Sequence, residues 1–108
     1  MSQEDAPRPS IARLDVSNVS SVRELHDRLA ATLDFPDFYG KNWDAFWDSI
    51  TGLVGMPRRL VITGWSNIES HWPEDARIML DCLRDLNAQY PSWSCEVELH
   101  SEAARPAT

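Results

Sequence analysis

The chain has 108 residues, 43% of them hydrophobic, and 17 acidic against 10 basic side chains leave a formal charge of -7. That size and apolar content support a single domain with its own core and exclude wholesale disorder. The acidic balance disfavours nonspecific binding to nucleic acid or anionic membranes and favours encounter with basic proteins.

No run approaches the ~20 apolar residues of a membrane span. The stretch from Met1 to Ser10 lacks the basic and apolar regions of a secretory signal, so cytoplasmic residence is expected. Residues 1–10 and 101–108 are polar and rich in Pro and Ala; they are expected to be flexible tails around a domain spanning 11–100. Cys82 and Cys95 lack metal-ligand spacing and fit reduced, half-buried thiols.

Ile11 to Val16 reads as a short strand. Ser21-Val22-Arg23-Glu24 has the capping-box order, in which Ser21 and Glu24 satisfy each other's orphan amides. Val22, Leu25, Leu29 and Leu33 follow at helical spacing, and the helix must end before Pro36. An aromatic-glycine turn comes next, with Asn42 as a good N-cap for a second helix that Gly52, or Gly55 with Pro57, would stop.

Arg59-Leu60-Val61-Ile62-Thr63 is the best candidate for a central buried strand, broken by Gly64. Trp65 to Trp72 is compatible with a short helix or irregular backbone. Pro73 is placed to start a long helix with Ala76, Met79, Leu80, Leu83, Leu86 and Tyr90 on its inner face, ended by Pro91. Cys95, Val97 and Leu99 alternate with Glu96, Glu98 and His100 as a final strand near an edge. The order is β-α-α-β-α-α-β, and strands joined by helical crossovers should be parallel. The expected fold is therefore α/β, a three-stranded parallel sheet with about four helices.

The second helix has two faces. Trp43, Phe46, Trp47 and Ile50 repeat at i, i+3, i+4 and i+7 as an apolar face. Asp44, Asp48 and Thr51 share that spacing, rotated by about 100°. Aspartate is common around turns such as Asp34 to Asp37, and Asp44 gains about 0.3–1 kcal/mol from the helix dipole. Yet Asp44 and Asp48 are like charges at i, i+4, which costs a helix about 0.2–0.5 kcal/mol, and no basic residue on this helix offsets them. Such a pair suits a partner that supplies the positive charge.

The run from Phe35 to Gly52, FPDFYGKNWDAFWDSITG, resembles the central motif of the barstar family, intracellular inhibitors of small secreted bacterial ribonucleases. Leu25-His26 and the following strand-helix-helix-strand order are also similar, so the likeness runs over about residues 11 to 100. The resemblance implies a barstar-like fold and an inhibitor, not an enzyme. It would plug the active site of a small guanyl-specific-type ribonuclease with this helix and the preceding loop, in a one-to-one protein complex. Asp48 would stand in for a substrate phosphate among Arg and His side chains, with Asp44 in support. Thr51 and Gly52 would meet the rim, Phe38 and Tyr39 would stack on the enzyme, Asn42 would contribute backbone or side-chain hydrogen bonds, and Gly40 would belong to the same binding loop. Asp85 would add a peripheral ion pair. No metal or cofactor is implied. The chemistry is coherent, since arginine binds carboxylate and phosphate through the same paired donors.

Where the family has a tyrosine this chain has Phe38. Lys41, Gly55 and Gln89 stand at acidic positions, and Leu53 at an aromatic one. The central anchor stays while the rim changes, as expected for a different cognate nuclease. The alternative is a barstar-like immunity or interaction domain against another cationic toxin, such as a DNase. Tyr39, beside a glycine in a turn, is expected to be exposed, and the five tryptophans are expected to be mainly structural. Catalysis by Asp44 and Asp48 with His26 or His71 finds no phosphate loop, metal cluster or nucleophile motif to support it.

Overall fold

The computed structural model describes residues 10–103; the stretches 1–9 and 104–108, where the expected tails mostly fall, lie outside the described residues. The elements are β1 (Ile11–Asp15), α1 (Val22–Leu33), α2 (Trp43–Gly52), β2 (Arg59–Thr63), α3 (Trp65–His71), α4 (Pro73–Gln89), a single 3-10 turn (Pro91–Trp93) and β3 (Glu96–Leu99). The three strands are parallel in the order β1-β2-β3. The expected α/β architecture and the central position of Arg59–Thr63 are both found.

Register explains the two sheet faces. Ala12, Leu60 and Val97 lie side by side, as do Leu14 and Ile62, and these residues join the core. Arg13, Val61 and Glu98 align on the other face. Arg59 there reaches Glu96 at 3.1 Å and Glu98 at 3.5 Å, exposed pairs that contribute little to stability. The apolar run of β2 is therefore split: Leu60 and Ile62 belong to the core, whereas Val61 is buried outside it.

Helix starts follow local chemistry. Ser21 Oγ accepts from the Glu24 amide at 3.0 Å, but the Glu24 carboxylate takes the Ser20 amide and hydroxyl instead of the Ser21 amide, so half of the expected capping box is shifted by one residue. Gly64 sits at φ +75 between β2 and α3, where a Cβ would come within 2.5 Å of Ser17. Only glycine fits a left-handed position that close to another backbone. Its amide donates to the Glu102 carbonyl at 2.7 Å and Ser66 Oγ donates to the Ser101 carbonyl at 2.7 Å, which ties the chain after β3 to the end of β2.

Leu25, Leu29, Leu33, Phe46, Ile50, Met79, Leu83 and Leu86 fill the space between helices and sheet. Tyr90, expected on the inner face of α4, is instead 45% exposed. It lies one residue past the helix, where the backbone leaves helical geometry (φ -132, ψ 70) before Pro91. Cys82 is half-buried and Cys95 fully buried, and no disulfide joins them. Among the described residues no helix is long and apolar enough to cross a membrane.

Candidate functional site

The site is built on α2. Asn42 caps it: its side-chain oxygen accepts from the Ala45 amide at 2.7 Å, and its Nδ2 donates to the Gly40 carbonyl at 3.3 Å. Gly40 is exposed, and a Cβ there would press on Asn42 at 3.3 Å and Ala45 at 3.4 Å. Both residues thus shape the turn into the helix. Phe46 and Ile50 are fully buried, and Trp43 and Trp47 pack half-buried on the core. The Trp43 indole N–H also donates to Asp75 at 2.8 Å, which fastens the start of α2 to the start of α4.

With that face held down, Asp44 and Asp48 are exposed one turn apart. Their carboxylates make no hydrogen bond or ion pair among the described residues. Lys41, the nearest cation in sequence, bonds to Asp27 of α1 at 2.7 Å instead. Thr51 is half-buried and its hydroxyl donates back to the Trp47 carbonyl at 2.6 Å, while Gly52 is the exposed last residue of α2.

Asp85 on α4 is exposed, and its carboxylate and that of Asp44 both act on the half-buried Cys82 thiol. Burial first, then the carboxylates of Asp85, Asp81 and Asp44, push that thiol above its ordinary range. Asp81 is committed to Arg77 and Arg84, so Asp85 and Asp44 are the unpaired charges of this group. Two exposed apolar side chains bracket α2, Phe38 before it (76% exposed) and Leu53 after it (52%).

Tyr39 departs from expectation. It is only 8% exposed, packed on Phe35 with ring centroids 4.8 Å apart, and its hydroxyl lies 2.6 Å from His26 Nδ1. Tyr39 finds a buried polar partner, and Phe38 is turned outward. Burial, with Cys82 close by, raises the phenol's pKa and keeps it protonated. A lone His26 on a helix is compatible with a solvent-facing or a core position, and the structure decides for the core, at 1% exposure, in line with the helical spacing 22, 26, 29, 33 of the buried face. Asp27 and Asp75 were missed, since the contacts that use them cross between elements. Among the described residues no group of His, Cys, Asp and Glu could hold a metal.

In short, Phe38, Gly40, Asn42, Asp44, Asp48, Thr51, Gly52 and Asp85 retain exposed or half-exposed positions on or near α2, and Tyr39 does not. The resulting surface is acidic and edged by apolar groups. Comparison with known proteins adds two findings. Residues 10–103 match the family described as Barstar (barnase inhibitor). A Bacillus subtilis protein named "Putative ribonuclease inhibitor YrdF" is 47% identical over 49 residues, 45% of this chain and 54% of that protein, so the match spans about half the length of each.

Proposed function

The chain belongs to the barstar family, and from that premise we propose that it is an inhibitor of a small guanyl-specific-type bacterial ribonuclease, acting in the cytoplasm by closing the enzyme's active site. The observation that carries this reading is the exposed, unpartnered pair Asp44 and Asp48 on a helix whose opposite face is buried. In the complex Asp48 takes the place of a substrate phosphate, and Asp44 adds charge one turn away. Phe38 stacks on the enzyme, Thr51 and Gly52 meet its rim, and Asp85 supplies an outer ion pair. Tyr39, Gly40 and Asn42 serve by shaping the loop. The name of the Bacillus subtilis relative supports a ribonuclease as the target. The inhibitor works by occupancy, as one copy per enzyme, and needs no cofactor.

Holding two carboxylates unpaired costs little while water solvates them. It becomes useful when a partner supplies arginines in a dry cleft, where a charge-assisted bond is strong. The test is to titrate the protein against a panel of small microbial ribonucleases and follow RNA cleavage. Stoichiometric inhibition of at least one is expected. Asp48→Ala should weaken it by about 30-fold or more with circular dichroism unchanged, because it strands the enzyme's buried cations. Equal inhibition by Asp48→Ala would remove the central assignment. Binding to a DNase with no ribonuclease inhibited would replace the target.

A further inference from the structure

The turn that carries Tyr90 out of the core is firmly built. Its amide donates to the Leu86 carbonyl at 2.8 Å, and the Trp93 amide closes the Pro91–Trp93 turn onto the Tyr90 carbonyl at 2.8 Å. Asn87 clamps the far side: its Nδ2 donates to the Cys95 carbonyl at 2.8 Å, and its Oδ1 accepts from the Cys95 amide at 2.7 Å. Cys95 itself is fully buried. On this fixed backbone two large rings stay in solvent, Tyr90 at 45% exposure and Trp93 at 38%. The Tyr90 hydroxyl makes no hydrogen bond among the described residues.

The turn continues a surface already described. α4 reaches it through Asp85 and Gln89, exposed residues one turn apart on the same side of the helix. α2 packs on α4, and the Trp43 bond to Asp75 joins their starts. The chain then leaves α2 for β2 and α4 for β3, and these strands begin side by side, with the Glu96 amide donating to the Arg58 carbonyl at 2.8 Å. The segments that follow the two helices therefore converge on one end of the sheet.

We infer that Tyr90 and Trp93 extend the partner-binding surface beyond Gly52 and Asp85, offering their ring faces to arginine or lysine side chains on the rim of the cationic ribonuclease. This contact rests on the inhibitory reading above. Charge selects the occupant: the chain carries -7, and the carboxylates nearest in the fold, Asp85 and Asp44, are unpaired, so a basic surface is what docks beside the turn. An aromatic face attracts a guanidinium or an ammonium group. Rings on a backbone already held by Asn87 lose little freedom when a partner arrives. Being uncharged, they hold the complex together without steering its encounter.

The test takes a small microbial ribonuclease that the wild type inhibits and measures association by stopped-flow mixing and dissociation by competition with excess wild type. Removing both rings, Tyr90→Ala with Trp93→Ala, should raise the dissociation rate by about tenfold or more and leave the association rate within about twofold. The pair Tyr90→Leu with Trp93→Leu keeps apolar bulk without a π face, and it should dissociate as fast as the alanine pair. Urea unfolding reports whether the turn survives; if the Trp93 variants fail to fold, Tyr90→Ala alone should still speed dissociation by about threefold. Unchanged dissociation in the alanine pair, or wild-type dissociation in the leucine pair, overturns the inference while the inhibitory reading stands. A wild type that inhibits no ribonuclease defeats the proposed function, and this contact falls with it.

Discussion

Phe38 and Tyr39 are neighbours of similar size with opposite fates, 76% and 8% exposed. Residue type and turn chemistry place both in an irregular segment; the ring that points inward is the one whose hydroxyl meets a histidine thirteen positions away in α1. Single-residue behaviour at His26 leads to a stability prediction of its own. Burial pulls its pKa below the ordinary His value of about 6.5. The unfolded chain therefore takes up the proton first. Its contribution to stability is fully present above that value and is lost as pH falls from there through the depressed folded value. Urea unfolding at pH 8 and pH 5.5 should show the wild type losing more stability than His26→Gln over this interval; parallel losses would refute it. The stripe of Asp44, Asp48 and Thr51 needed no tertiary information, because its spacing puts it beside the buried face of any helix formed here, but only the resemblance to the barstar family singles out Asp48 within it.

At the scale of elements, the sequence carries the helix starts more clearly than their finer chemistry. Asn42 stands where an N-cap is wanted and makes the expected bond to Ala45. Asn42→Ala should cost about 1 kcal/mol, lowering the melting temperature of a domain this size by about 4–8 °C per kcal/mol. A scan showing no shift would mean that Gly40 and the Trp43 anchor alone set the entry to α2. The Ser21–Glu24 box was half right: the serine caps, but the carboxylate prefers Ser20, which offers both an amide and a hydroxyl. Tyr90 fits the periodicity of α4 and misses its core, because periodicity has no meaning once the backbone leaves the helix. The α2 to α4 link through Trp43 and Asp75 was hidden altogether, since the pair is separated by 32 positions.

For the whole molecule the charge of -7 and the exposed acidic side of α2 act together. Association with a basic nuclease should slow by at least about tenfold between 0.05 and 0.5 M NaCl, with dissociation changing far less, as stopped-flow mixing can measure. Salt-independent association would mean that the acidic face is not what meets the partner. Strand order was legible at the level of parallel pairing and a central β2, because helices between strands leave few alternatives. The chain's own residues determined the three strands, three of the four helices, the Asn42 cap, the anchored face of α2 and the acidic stripe beside it, since these depend on spacing within one short segment. Only the tertiary structure decided that Tyr39 turns inward, that Lys41 serves Asp27 and not Asp44, and that Asp85 and Asp44 both act on the Cys82 thiol. Those outcomes depend on how separate elements dock, where burial and pairing across the chain outweigh local preference.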